Sequence, residues 1–202
     1  MDSPETNTKK NNQKQSDSSI GGFLWDLFKI FVIAFIITAP FRLFVAEPFV
    51  VSGSSMVPNF HDRDYLVVDR WTYRFNQPER GEVIVFKYPK DTSQYFIKRV
   101  IGLPGETVSL SQGHVVIYNQ EHPEGWVLKE NYLPSQIETL GIVGGSGRLT
   151  LGEDEYFVLG DNRMASSDSR VWGILPKSDI VGRVFLRVLP VNQFGVIRGA
   201  AY

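Results

Sequence analysis

The sequence has 202 residues, a formal net charge of -1, no cysteine and three histidines. The balanced charge gives no electrostatic reason to expect a nucleic-acid partner, and the lack of cysteine excludes a thiol nucleophile, thiolate metal sites and disulfides. The histidines, His61, His114 and His122, do not stand at the close helical spacing of many zinc sites, so we expect neither a metal nor a cofactor.

A polar tail and an apolar helix are predicted at the amino end. Residues 1–22 begin as a run of Asn, Gln, Ser and Lys with too little apolar surface to fold, so we expect a disordered tail. The next nineteen residues, 23–41, contain only two charged side chains, Asp26 and Lys29. At about 1.5 Å per residue they match the hydrocarbon thickness of a bilayer. We therefore predict a transmembrane anchor over residues 23–44, with the lipid bilayer as its partner.

The apolar segment could instead be a buried helix of a soluble protein or a cleavable export signal. The first fits poorly because the segment is apolar on every face. The second fits poorly because Arg42 and Glu47-Pro48 follow the segment without a small-x-small cleavage site. Lysines before the helix favour a cytoplasmic amino end, which would place residues 45–202 on the far side, periplasmic, extracellular or lumenal.

Short β-rich runs broken by turn residues fill the remainder of the chain. Pro89-Lys90-Asp91 separates the run at 82–88 from the run at 96–102, and these two runs could pair as neighbouring strands. A weaker set of runs with a Gly-rich break suggests a smaller sheet inserted at about 107–155. We therefore predict an all-β domain over residues 45–202. The expected strands are 65–70, 82–88, 96–102, 114–118 and 180–189.

The first candidate segment for chemistry is VSGSSMVPNF at 51–60, which contains Ser55. A Gly-Ser-Ser turn can direct backbone amides at one point, as an oxyanion hole requires. The alternative is an ordinary Ser-rich surface loop.

The second candidate segment, YFIKRVIGLPGE at 95–106, places Lys98 among apolar residues. In a strand Lys98 and Arg99 point to opposite faces, so one can face the core while the other reaches water. A lysine held against apolar side chains has a lowered pKa and can act as the general base that a serine hydroxyl needs. The alternative is an exposed lysine on an edge strand. His61 is interpreted as a residue of a polar turn rather than as the base.

The third candidate segment, GDNRMASSDSRVWG at 160–173, is dense in residues that form hydrogen bonds. Ser166 or Ser167 could orient the lysine. A calcium site is not favoured, because calcium loops generally place their oxygen ligands at alternate positions. The carboxylates and guanidinium groups of this loop can form charge-assisted pairs, namely Asp161 and Asp168 with Arg163 and Arg170.

Together, the apolar span and the segments SGSSMVPNF, GEVIVFKYP, FIKRVIGLPGE and GDNRMASSDSRVWG resemble the type I signal peptidase family over roughly residues 23–188. The resemblance implies an enzyme that removes signal peptides from exported preproteins with a serine–lysine dyad. The implied site consists of the nucleophile Ser55, whose backbone amide also donates to the oxyanion, the general base Lys98, Ser166 hydrogen-bonded to the lysine amine, and the loop-supporting Asp168 and Arg170.

The sequence departs from the family pattern at three places. Many members carry a hydroxyl side chain as a second oxyanion donor two residues before the nucleophile, but this chain has Gly53 there. Ser52 or Ser54 could contribute instead, so the second donor stays open. Asn59-Phe60 replaces the usual Thr-Leu, and Met164 stands where a polar residue is common.

The resemblance also implies antiparallel sheets and a substrate that binds as an added strand, with small side chains at the first and third positions before the cut. Val51, Phe60 and Ile97 are the candidates to line the shallow pockets for those side chains. Phe49 and Val50, close to the anchor, would form an apolar surface at the bilayer. The oligomeric state is left open.

Two rival functions are compatible with parts of the sequence. A self-cleaving serine–lysine regulator has a similar catalytic fold, but its amino-terminal part binds DNA, where this chain has an apolar span. A membrane-tethered β-rich binding module without catalysis would retain its function after replacement of Ser55 or Lys98, whereas a peptidase would not.

Overall fold

The protein folds into one long helix and two antiparallel sheets. The structure, a computed structural model, describes residues 20–44, 46–141, 143–144 and 147–202. Its helices are α1 (Ile20–Phe44) and α2 (Ser169–Trp172), with 3-10 turns at Thr72–Arg74, Lys177–Asp179 and Val191–Gln193. The strands are β1 (Ala46–Val50), β2 (Tyr65–Asp69), β3 (Val83–Tyr88), β4 (Asp91–Gly102), β5 (Thr107–Ser111), β6 (His114–Tyr118), β7 (Trp126–Val127), β8 (Arg148–Thr150), β9 (Glu155–Leu159), β10 (Leu175–Pro176), β11 (Ile180–Leu189) and β12 (Gly195–Val196).

Helix α1 contains the predicted apolar span. Its first nineteen residues, Ile20–Thr38, are long and apolar enough to cross a membrane. The side chains of Phe23, Trp25 and Phe31 are all more than half exposed, as expected for a helix without an apolar stripe to bury against protein. The two charges near its start form an ion pair, with Lys29 Nζ 3.0 Å from an Asp26 carboxylate oxygen.

The larger sheet has the strand order β1-β2-β11-β3-β4-β9-β10, and β12 pairs with β11. Every pairing in it is antiparallel. The central strand β3 is buried over four consecutive residues because both of its faces are covered. Strand β4 pairs with β3 along most of its length, whereas its pairing with β9 is confined to 99–102. Among the described strands, residues 95–98 of β4 therefore have a partner on one side alone.

The smaller sheet has the order β7-β6-β5-β8 and lies in sequence between β4 and β9. Its core is shared with the larger sheet. Val108 and Ile117 of the smaller sheet are fully buried in one cluster with Ile101, Phe157 and Leu159 of the larger one. The smaller sheet thus closes over apolar side chains that the larger sheet could not bury alone.

The all-β fold with antiparallel sheets and one preceding helix is confirmed. The predicted tail ends too late, because residues 20–22 already form the first turn of α1. Residues 1–19 lie outside the described residues. The run predicted at 96–102 begins earlier, at Asp91, since the antiparallel partner β3 extends the hairpin beyond the apolar residues.

Candidate active site

A cleft of about 510 Å³ opens on the larger sheet and contains both predicted reactive side chains, Ser55 and Lys98. One wall is formed by residues 49–52 at the end of β1, and the other by residues 94–98 of β4. Leu66 and Val85 contribute to the lining. The cleft therefore lies beside the stretch of β4 that has one free edge.

Ser55 lies on the loop between β1 and β2, which is held by hydrogen bonds. Val51 and Asp64 close the loop at its base, where the Val51 N–H donates to the Asp64 carbonyl over 2.9 Å. Inside the loop, the Gly53 N–H donates to an Asp62 carboxylate oxygen over 2.8 Å. The Ser55 N–H has no acceptor among the described residues, so it is free to donate to a ligand in the cleft.

Lys98 reaches the serine hydroxyl from strand β4. Its Nζ atom lies 2.8 Å from Ser55 Oγ and 2.8 Å from the Ile97 carbonyl oxygen. The residue is 3% exposed, and Nζ lies 5.3 Å from the centre of the Phe96 ring. Burial lowers the pKa of Lys98 to about 8, although Asp168 and Asp161 act in the opposite direction. The amine is therefore neutral in about half of the molecules near pH 8.

Arg99 does not reach water, contrary to the expectation for the neighbour of a core-facing lysine. It is 4% exposed and forms a bidentate ion pair with Asp161, at 2.8 Å from Nε and 2.6 Å from Nη2. The pKa of Arg99 is raised, because Asp161 more than offsets the effect of burial. The negative charge of Asp161 offsets the cost of burying the Arg99 guanidinium on this second face of β4.

The 160–173 segment binds the serine loop through backbone contacts. The Asn162 N–H donates to the Ser55 carbonyl over 3.0 Å, and the Asn162 side chain donates to the Ser54 carbonyl over 3.1 Å. Because Asp161 is paired with Arg99, the segment connects the strand that carries Lys98 to the loop that carries Ser55. The sequence pattern alone does not reveal this role of Asn162.

The predicted ion pairs of this segment are partly wrong. Asp168 does pair with Arg170, with oxygen–nitrogen distances of 2.8 Å, and also caps α2. Asp161, however, pairs with Arg99, while Arg163 pairs with Glu130 of the loop between β7 and β8. The correct partners are distant in sequence, so proximity within the segment could not identify them.

Ser166 does not hydrogen-bond to Lys98 in this structure. Its hydroxyl oxygen is buried without a partner, and the lysine amine contacts the Ile97 carbonyl instead. The Ser166 hydroxyl packs on Gly160, where a Cβ atom would overlap that hydroxyl and lie 2.5 Å from the Ser55 carbonyl oxygen. Glycine is required there for both to approach the strand. Ser167, the other serine considered, lines the cleft.

The candidate pocket residues have different locations. Val51 and Ile97 line the cleft, and Phe49 and Val50 lie next to them. Phe60 does not line it: the side chain is 2% exposed and packs in the core beneath the Arg187 guanidinium, 4.7 Å from the ring centre. The loop turns inward at this position, where the Phe60 N–H donates to the Met56 carbonyl.

Comparison with known proteins gives consistent matches along the chain. The model of the family described as signal peptidase, peptidase S26, matches residues 24–189. A probable signal peptidase I-2 of Synechocystis is 36% identical over 198 residues, covering 95% of this chain and 85% of the relative. A signal peptidase I of Leptolyngbya laminosa is 36% identical over 202 residues, covering 96% and 94%. A crystal structure of signal peptidase I from Enterococcus faecalis has 31% identity and a TM-score of 0.44, and the match covers 54% of this chain and 97% of that chain.

The family match and the Synechocystis and Leptolyngbya relatives define a serine peptidase. The chain belongs to the signal peptidase family, peptidase S26, and is similar to signal peptidase I enzymes over most of its length. Its substrates are accordingly preproteins that carry signal peptides. Family membership removes the alternative of a binding module without catalysis.

Proposed function

We propose that the chain is a membrane-bound signal peptidase in which Ser55 is the nucleophile and Lys98 is the general base. The observation that carries this proposal is the 2.8 Å distance between Lys98 Nζ and Ser55 Oγ inside a substrate-sized cleft. A serine hydroxyl is a weak nucleophile at neutral pH unless an adjacent base removes its proton. The buried amine, with its pKa lowered to about 8, can be that base.

The proposed reaction has two halves. In the first half, the neutral Lys98 amine takes the hydroxyl proton as Ser55 Oγ attacks the carbonyl carbon of the scissile peptide bond. The resulting ammonium donates its proton to the leaving amine, and the signal peptide stays bound as an ester. In the second half, Lys98 activates a water molecule that hydrolyses this ester. The free Ser55 N–H would donate to the oxyanion in both halves.

The substrate would bind as an extended strand between the two walls of the cleft. Residues 95–98 offer unpaired backbone groups on the side next to Ser55, and backbone pairing of this kind accepts many different sequences. Val51 and Ile97 would then form shallow apolar walls for the small side chains of the signal peptide. Ser167 lies in the same cleft and could contact the substrate backbone.

This assignment predicts a strict dependence on substrate side chains. The full chain in detergent should cut a preprotein with alanine at the first and third positions before the cleavage site, at the junction with the mature protein. Replacing the first of these alanines with phenylalanine should reduce cleavage by about a hundredfold or more, because the ring cannot enter a shallow pocket. Mass spectrometry of the products checks both statements. Equal cleavage of the two substrates, or cleavage elsewhere, would contradict the proposed function.

We further propose that α1 spans the membrane with the amino end in the cytoplasm and residues 45–202 on the far side. The helix has the necessary length, and the ion pair of Asp26 and Lys29 reduces the cost of two charges near one membrane surface. In sealed right-side-out vesicles, added protease should therefore digest the β domain and leave an epitope tag before residue 20 intact. The reverse pattern would contradict this orientation, and release of the protein by alkaline carbonate would contradict the span.

A further inference from the structure

Residues 195–202 form a segment that runs from β11 to Gly81, and it lies beyond the 24–189 region that the family model matches. The segment starts as β12 on β11, and the Ile197 N–H then donates to the Phe185 carbonyl. Further along, the Ala200 N–H donates to the Gly81 carbonyl over 3.1 Å. The segment ends with the Tyr202 side chain packed against the core shared by the two sheets.

Gly81 precedes β3 and joins the 195–202 segment to β4, because its N–H donates to the Val100 carbonyl and its carbonyl accepts from Ala200. Its φ is +89°, and a Cβ atom there would overlap the Ala200 carbonyl oxygen and lie 2.9 Å from the Tyr202 ring. The close approach therefore requires glycine. The same Gly81 carbonyl also accepts a hydrogen bond from Arg99 Nη1 over 2.8 Å. One peptide group thus contacts both the segment and the neighbour of Lys98.

A stack of rings and charges connects Tyr202 to the active site. The Tyr202 ring meets the Tyr132 ring edge to face, with 6.0 Å between the ring centres. On Tyr132 lies the Arg99 guanidinium, 4.1 Å from the ring centre. Arg99 in turn holds Asp161 through two hydrogen bonds. The other charged side chains that influence Tyr202 are Glu130 and Arg163, which pair with each other.

We propose that Tyr202 is a positioning residue for the serine–lysine pair, because its ring keeps Tyr132 and Arg99 in place and thereby keeps Arg99 paired with Asp161. The proposal rests on the dyad proposed above. The Arg99–Asp161 pair joins the strand that carries Lys98 to the segment whose Asn162 holds the Ser55 carbonyl. Loss of the ring would loosen the connection between the two reacting groups.

The stack also controls charge near the lysine amine. Asp168 and Asp161 favour the charged form of Lys98, and each is paired with an arginine, Arg170 and Arg99 respectively. If Arg99 moves away, the carboxylate of Asp161 is less compensated and the ammonium form of Lys98 becomes more stable. The pH at which the enzyme becomes active should therefore rise.

The test compares Tyr202→Ala and Tyr202→Leu with Tyr202→Phe in the full chain in detergent. Cleavage of an alanine-site preprotein is followed from pH 6 to 10, with the melting temperature as a check of folding. For the alanine and leucine variants we expect a midpoint raised by roughly half a pH unit and a kcat reduced about fivefold with KM little changed. Tyr202→Phe should match wild type, because the ring that contacts Tyr132 and Gly81 is retained.

Phe194→Ala is the matched control, since Phe194 precedes β12 and is 63% exposed. It should leave the pH profile unchanged. Tyr202 itself cannot produce the shift, because burial raises its pKa to about 12, above the range tested. Tyr132 has its pKa raised further by burial and stays neutral.

A folded alanine or leucine variant with the wild-type midpoint and kcat would overturn the proposal, and Tyr202 would then serve packing alone. The leucine variant retains apolar volume and decides the question if the alanine variant does not fold. A Tyr202→Phe variant as impaired as Tyr202→Ala would overturn the role of the ring in favour of the hydroxyl. Failure of the dyad itself is separate: Lys98→Ala would then remain active whatever happens at Tyr202.

Discussion

Ser55→Ala and Lys98→Ala should each reduce preprotein cleavage by at least about a thousandfold, because the two groups act as one unit and neither works alone. Removing the hydroxyl deletes the attacking atom. Removing the amine leaves the hydroxyl protonated and also deletes the proton donor for the leaving group. Lys98→Arg should be equally inactive, since a guanidinium group keeps its proton at every accessible pH. Quantifying the processed product at fixed enzyme concentration measures all three effects.

An exposed serine and an exposed lysine of the β domain provide matched controls for the two substitutions. Ser111 is exposed on β5, away from the cleft, and Lys87 is exposed on strand β3 beside β4. Ser111→Ala and Lys87→Ala should cleave within about threefold of wild type, as expected for surface positions. Retained activity in Ser55→Ala or Lys98→Ala would refute the dyad. A loss shared by the control variants would point to disturbed folding instead, which circular dichroism would reveal.

The kcat/KM of the wild-type enzyme should rise about tenfold per pH unit below pH 8 and level off above it, because only the neutral amine accepts a proton. The midpoint follows from the burial of Lys98, which lowers its pKa to about 8 from the ordinary lysine value of 10.5. Lowering the pH from 8 to 6 should therefore reduce the rate by about fiftyfold. Initial rates in buffers of constant ionic strength give the profile.

The cause of this pH dependence can be separated from acid unfolding. Far-UV circular dichroism across the same range should stay constant while activity falls, and activity should return when the pH is raised again. A rate that stays flat down to pH 6 would contradict a lysine base. A midpoint close to 10.5 would mean that Lys98 is hydrated in solution, contrary to its 3% exposure.

Much of the fold could be predicted because its strands have distinct local signals. The apolar runs at β3 and β11 are bounded by turn residues, and the break at Pro89 marks a hairpin between β3 and β4. Short strands such as β10 and β12 escape prediction because two residues carry no periodicity. They form only because a longer neighbour offers free backbone groups.

At the site, the sequence indicates the proposed reacting pair but not what holds the two side chains in place. Ser55 and Lys98 stand in distinctive segments, and the structure brings them within hydrogen-bonding distance. The prediction that one of Lys98 and Arg99 reaches water is wrong, because the partner that buries Arg99, Asp161, lies 62 positions away and local patterns do not show such pairs. The prediction that Phe60 lines the cleft is wrong because the direction of a loop side chain depends on tertiary packing, here against Arg187.

The core shared by the two sheets limits which parts of the enzyme can be deleted. Ile101, Phe157 and Leu159 of the larger sheet are fully covered by the smaller one, and Ile101 is three positions from Lys98 on the same strand. Deleting the smaller sheet would expose these side chains to solvent, including one on the strand that carries Lys98. The insertion therefore cannot be removed as an independent module without uncovering the core of the larger sheet.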